Sequence, residues 1–311
     1  MSKTAPAKQS FDTLFQMMTA FPDEQSAIDH FTAIRWKRGA FCPLCGSTRV
    51  YHFSDRRTHK CGDCRKRFSI KVGTIFEDSK IELRKWMMAI WLITSHKKGI
   101  ASTQLAKDIG VTQKTAWFML HRLRHAAQAK SFARPLIGEI EADETFIGGK
   151  EKNKHAWQRT GGKQGGAGKA AVLGILERGG ELRTTETPNL TARTVQQVIR
   201  EHVAPGAALM TDEHGAFNGL SNGYHHHRVN HSAGEYVRHY VLHTNGIESV
   251  WALFKRQIVG THHYLSRKHL SRYLGEMTWR FNARESGEGE RVNMLLAQSG
   301  GRLTYKALID E

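Results

Sequence analysis

Four cysteines fall in two pairs, Cys42-x-x-Cys45 and Cys61-x-x-Cys64, with 15 residues between them. No other feature limits so tightly what the chain around it can fold into. A Cys-x-x-Cys turn places two thiolates on one ion, and the interval suits a hairpin that returns the second pair to the first. Four thiolates complete a tetrahedral shell, so the expected zinc at Cys42, Cys45, Cys61 and Cys64 is structural and leaves no position open for chemistry. Two disulfides are the competing pairing. They fit poorly with Met1 to Ser10, a small polar stretch without an apolar signal core, which points to a reducing cytoplasm. Arg49, Arg56, Arg57, Lys60, Arg65, Lys66, Arg67 and Lys71 surround the pairs and form a rim suited to phosphates.

The basic excess extends beyond this segment: 46 Lys and Arg stand against 29 Asp and Glu, a formal charge of +17. Such an imbalance favours a polyanionic partner, chiefly nucleic acid. No apolar run approaches the roughly 20 residues of a membrane span, so no membrane partner is expected. Before the cysteines, residues 1–40 carry helical spacing, with a break at Phe21-Pro22 and Asp23 as the cap of a second helix. The ribbon is expected over 41–75 and a group of helices over 79–128. A linker around Ala133-Arg134-Pro135 follows. From 134 to 285 strands alternate with helices: strands at Ile137–Phe146, Val172–Glu177, Leu182–Glu186 and Ala207–Thr211, a helix capped by Asn189 or Thr191, and another over Asn245–Ile258. Residues 286–311 are left as a C-terminal tail.

Within the helical region, residues 102–117 read as helix, glycine turn, helix. Leu105, Ala106, Ile109 and Val111 are the packing positions, Gly110 the turn, and Thr112 the second cap. In a helix-turn-helix the second helix offers its first residues to base edges and its basic residues to phosphates. Gln113 and Lys114, followed by Arg122 and Arg124, are therefore the DNA-contact candidates. An ordinary helical hairpin is the plainer alternative.

The third signal is acidic. Glu139, Glu141 and Asp143 alternate with Ile140 and Ala142, which on a strand puts three carboxylates on one face. Such crowding calls for cations. A second buried strand ends in Asp212. After 35 intervening residues, Glu248 lies on a helix that returns Lys255 to nearly the same face seven positions on. Two Asp and one Glu are hard oxygen ligands suited to Mg²⁺ or Mn²⁺, and two such ions serve in-line phosphoryl transfer.

From about residue 25 to 285 the chain resembles the zinc-ribbon insertion-sequence transposases of bacteria, whose catalytic domain is ribonuclease-H-like. The resemblance rests on Arg35-Trp36 through Cys42-Pro43-x-Cys45-Gly46, on Asp143-Glu144-Thr145-Phe146-Ile147-Gly148-Gly149-Lys150, and on Thr211-Asp212-Glu213. It also rests on Val229-Asn230-His231-Ser232 with Glu235-Tyr236-Val237, on His243-Thr244-Asn245 through Lys255-Arg256, and on Arg280-Phe281-Asn282. It implies a multidomain α+β and α/β protein: a zinc ribbon and helix-turn-helix, then a mixed sheet with flanking helices. It implies a DDE transposase that binds terminal inverted repeats, hydrolyses the element ends and transfers the 3′-OH into target DNA. Asp143, Asp212 and Glu248 would be the metal-binding triad, with Lys255 and Arg256 on DNA. Some members carry Asn at the third place, which makes Asn245 an alternative ligand. The same resemblance implies a homodimer or larger assembly at paired ends, in the bacterial cytoplasm with the nucleoid. A DNA-binding regulator with an inactive C-terminal domain is the reading from another class; clustered carboxylates would serve it no purpose.

Two further features carry less. His225-His226-His227 reads as a polar loop against the core, and His231 as a residue orienting a metal ligand. The run Gly161–Lys169 suggests a phosphate loop but fails as one. Lys163 stands where Gly is needed and Ala170 where a hydroxyl would hold Mg²⁺.

Overall fold

The computed structural model describes residues 11–128, 134–149, 155, 157, 166, 168–229 and 242–310. The chain divides into two compact units: Met1–Ala129 with Ala283–Glu311, and Lys130–Asn282.

The first unit opens with α1 (Leu14–Ala20) and α2 (Glu24–Arg35), separated at Phe21-Pro22. Asp23 caps α2 as expected, its Oδ1 accepting the Ser26 N–H at 2.7 Å. The ribbon is a three-stranded antiparallel sheet of β1 (Val50–His52), β2 (Thr58–Cys61) and β3 (Arg67–Ser69), in that order. Its core is small: Cys42, Cys61 and Phe68 are buried, with Trp36, Val50, Cys64 and Val72 packed around them. So little apolar area cannot hold three short strands without a further tie.

Three helices follow: α3 (Leu83–Ser95), α4 (Ser102–Ile109) and α5 (Gln113–Ala127). The Glu82 side chain does not cap α3. Instead, the carboxylate of Glu24 accepts the N–H groups of Leu83 and Arg84, each at 2.9 Å. Between α4 and α5, Gly110 adopts a left-handed φ of 63°, which an L-side chain resists, and Thr112 accepts the Thr115 N–H at 3.2 Å. Helix, glycine turn and helix follow one another here, packed through buried Leu105, Ala106 and Ile109.

The stretch read as a tail carries α9 (Glu288–Ala297) and α10 (Tyr305–Asp310), and it belongs to this same unit. The Ile75 N–H donates to the Ser299 carbonyl at 2.9 Å, and His30 Nε2 meets Asn293 Oδ1 at 2.7 Å.

The second unit is built on a five-stranded sheet. Its strands are β4 (Glu139–Ile147), β5 (Ala170–Glu177), β6 (Leu182–Thr187), β7 (Ala208–Thr211) and β8 (His225–Arg228), in the order β6-β5-β4-β7-β8. β4, β5 and β6 pair antiparallel, whereas β7 runs parallel to β4 and β8 parallel to β7. One face is covered by α6 (Ala192–His202) through Val195 and Ile199, against Ile140, Ala142, Leu173 and Ile175. The other is covered by α7 (Asn245–Gln257) and α8 (Leu270–Asn282). Ile247, Trp251 and Phe254 form the buried stripe of α7, at the spacing of a helix lying on a sheet. Burial of such side chains stabilises by about 1.5–3 kcal/mol each.

Strand order, strand direction and helices on both faces make this a ribonuclease-H-like fold. One expectation is corrected: His225–Arg228 forms the edge strand β8 and not a loop, with His226 Nε2 2.9 Å from Thr211 Oγ1. An edge strand with one neighbour tolerates a polar sequence. His231 and most of Gly161–Lys169 lie outside the described residues. Among the described residues, no helix is long and apolar enough to cross a membrane.

Candidate active site

β4 outruns its parallel partner. Ala142 pairs with Thr211, the last residue of β7, so Asp143 and Asp212 come together where β7 ends. Ligand atoms of Asp143, Glu144 and Asp212 all lie within 4.8 Å of one another. Asp212 Oδ1 also accepts the His214 N–H at 3.0 Å, and His214 Nδ1 is 3.7 Å from Glu144 Oε1.

The electrostatics follow from this crowding. Burial, then the charges of Glu144, Asp212 and Glu248, push the Asp143 carboxyl up to about 7. Burial and Asp212 push Glu144 up to about 7 as well. A half-buried group of carboxylates that resists ionisation is stabilised by a hard cation, and an all-oxygen donor set fits one.

Of the expected triad, Asp143 and Asp212 stand together. Glu248, exposed on the first turn of α7, is near enough for its charge to act on Asp143. Its Oε1 accepts from Thr244 Oγ1 at 2.8 Å. Asn245 is exposed at the start of α7, and its carbonyl accepts from Ser249 Oγ. Lys255 and Arg256 are exposed in the last turn of α7.

Sequence reasoning missed two residues. Glu144 completes the tight acidic group, although alternation along β4 assigns it the other face. Arg178, after β5, removes Glu139 and Glu141 from the acidic row: its Nη1 donates to Glu139 Oε2 at 3.0 Å and its Nε to Glu141 Oε1 at 2.7 Å. Adjacency of acids in Asp143-Glu144 was the one local hint of the former. Nothing in the sequence near Arg178 marks the latter.

In the first unit, Sγ of Cys42 lies 3.8 Å from that of Cys64, and Sγ of Cys45 lies 3.6 Å from that of Cys61. Zinc–sulfur bonds of about 2.3 Å set tetrahedral sulfurs about 3.8 Å apart, so the four positions fit one zinc ion. The Cys64 N–H points at Cys61 Sγ, 3.4 Å away, as suits a thiolate ligand.

Gln113 and Lys114 are exposed at the start of α5, where Gln113 Nε2 donates to Ser102 Oγ and Lys114 Nζ lies over the Tyr305 ring. Arg122 and Arg124 are buried instead of facing outward, at 6% and 1% exposure. Arg122 Nη1 donates to the carbonyls of Ile75 and Glu77 at 2.8 and 3.0 Å, so this guanidinium serves the packing of its own unit.

Residues 135–282 match the model of the ISXO2-like transposase domain, and residues 22–67 match that of the transposase zinc-ribbon domain. A transposase-like protein of Haemophilus influenzae is 32% identical over 103 residues, covering 33% of this chain and 81% of that protein. The chain belongs to the ISXO2-like transposase family. A protein of transposable element ISH50 from Halobacterium salinarum is 28% identical over 269 residues, covering 82% of this transposase and 89% of its relative. The transposase is also similar, at 10% identity and a TM-score of 0.24, to a chain of a pre-cleavage Mos1 transpososome, covering 70% of the one and 80% of the other. The transposase-domain match contains the whole acidic group and α7, and the ribbon match contains all four cysteines. Helices α4 and α5 lie between the two matches.

Proposed function

We propose that this transposase is a DDE enzyme that binds the terminal inverted repeats of its element, hydrolyses the end phosphodiesters and joins the freed 3′-OH to target DNA. The observation that carries the reading is the convergence of Asp143, Glu144 and Asp212 within 4.8 Å at the end of β7, on a ribonuclease-H-like sheet. Asp143, Asp212 and Glu248 would hold two divalent cations, Mg²⁺ or Mn²⁺, with Glu144 alongside. Such ions, when bound, activate the attacking oxygen and neutralise the leaving one.

The chain's own residues do the rest. Lys255 and Arg256, exposed on α7 beyond Glu248, reach a backbone phosphate. Gln113 and Lys114 are the exposed residues at the start of the recognition helix. The ribbon, with zinc on its four cysteines, presents a basic rim to the duplex. Glu248 is favoured over Asn245 as third ligand because its charge already acts on Asp143. Two copies would meet at paired ends, in the bacterial cytoplasm with the nucleoid.

The test is Mg²⁺-dependent nicking of DNA carrying the element ends. Asp143→Asn, Asp212→Asn and Glu248→Gln should each abolish nicking with DNA binding largely intact; full activity in any one removes that residue from the site. Joined products distinguish a transposase from a nuclease that only cuts.

A further inference from the structure

The first turn of α7 is held by a residue of β4. Thr244, at the N-cap, makes no side-chain capping bond. Instead Glu141, 1% exposed, accepts the Ile247 N–H on Oε2 at 2.9 Å. Its Oε1 is occupied by Arg178 Nε at 2.7 Å. The same guanidinium reaches the segment entering α7, where Nη2 donates to the His243 carbonyl at 2.8 Å. Gly246 leaves the space for this contact: a Cβ there would stand 2.8 Å from Glu141 Oε2. A carboxylate at a helix N-terminus is favoured both by the free N–H groups and by the helix dipole.

This clamp lies between two members of the acidic group. Along β4 it is two residues from Asp143, on the same face. Along α7 it is one residue from Glu248. Both oxygens of Glu141 are engaged by N–H donors, and Glu141 stands outside the tight group of Asp143, Glu144 and Asp212.

We propose that Glu141, held by Arg178, is a positioning residue that fixes Glu248 of α7 relative to Asp143 of β4. The inference rests on the reading of the acidic group as a cation site. Without the clamp, the first turn of α7 loses its cap and Glu248 loses its fixed place.

The experiment is titration of Mn²⁺ into the full zinc-loaded chain, followed by calorimetry, together with hydrogen exchange of the α7 amides. Glu141→Ala should weaken Mn²⁺ binding about tenfold, the scale of losing a group that orients a ligand. The loss should match that of Glu248→Gln, and the double variant should bind no more weakly than Glu248→Gln alone, since both remove one contribution. Glu141→Gln keeps an oxygen for the Ile247 N–H and should lose no more than about threefold, within the same scheme. Exchange at residues 246–248 should rise in Glu141→Ala and stay unchanged across the first unit. Should Glu141→Ala fail to fold, Glu141→Gln and Arg178→Ala carry the test, the latter again non-additive with Glu248→Gln. Wild-type affinity in a folded Glu141→Ala, or losses that add, overturn the inference while the cation site stands. A wild-type chain with no Mn²⁺ binding that depends on Asp143 removes the cation site and the inference with it.

Discussion

Gly174 stands directly across from Asp143 in the β4–β5 ladder, and Trp251 of α7 occupies the space its missing side chain leaves. A Cβ at Gly174 would lie 2.4 Å from Trp251 Cζ2 and 2.8 Å from Ile247 Cδ1. The helix that carries Glu248 thus approaches the sheet closely at the level of the acidic group, because β5 has no side chain there.

Gly174→Ala should therefore push α7 outward. Overpacking of this kind costs about 1–3 kcal/mol. Urea unfolding of the second unit should show that loss, and end-DNA nicking should fall further than stability alone accounts for. Unchanged stability and nicking would mean that α7 is not held at this distance.

The acidic group should also make stability depend on pH in an unusual direction. Asp143 and Glu144, pushed up to about 7, hold protons more tightly folded than unfolded. Their protonation favours the folded state, so without divalent cation this contribution is present at low pH and is lost as pH rises from about 4 to about 7. Saturating Mg²⁺ should flatten the slope, as should Asp143→Asn. Thermal melts across that range, with and without Mg²⁺, provide the check, and a slope of opposite sign attributable to Asp143 would refute it.

The ribbon should depend on its metal. Metal analysis should find one zinc per chain, and Cys61→Ser should lose it, since structural zinc contributes about 10–16 kcal/mol of apparent binding energy in small fingers. Protease should then cut within residues 41–75, with the second unit intact. Reducing agent alone should change nothing, because the four cysteines form no disulfide.

Two basic residues of α5 should separate by role. Arg122→Ala removes a buried donor to the Ile75 and Glu77 carbonyls and should destabilise the first unit by about 1–3 kcal/mol. Lys114→Ala loses only an exposed contact with the Tyr305 ring, so it should cost no more than about 1 kcal/mol, weaken binding to the element ends and lower the salt slope by about 1. Equal effects of both variants on DNA affinity at matched folding would reverse the assignment.

The sequence by itself determined the features that depend on spacing along the chain. Two Cys-x-x-Cys turns, the Gly110 turn with its Thr112 cap, the strand ending just before Asp212 and the helix bearing Glu248 all follow from local rules of turn chemistry and periodicity. Tertiary structure decided what depends on pairing between distant segments. The parallel register of β4 and β7 brought Asp143 to Asp212 and admitted Glu144. The end of β5 delivered Arg178 to Glu139 and Glu141, dividing a row of acids that alternation alone had left uniform. Packing buried Arg122 and Arg124, which helical position alone had placed outward, and joined Ala283–Glu311 to the unit that opens the chain. Periodicity gives the face a side chain occupies, but only long-range register and packing supply the charge or carbonyl it meets there.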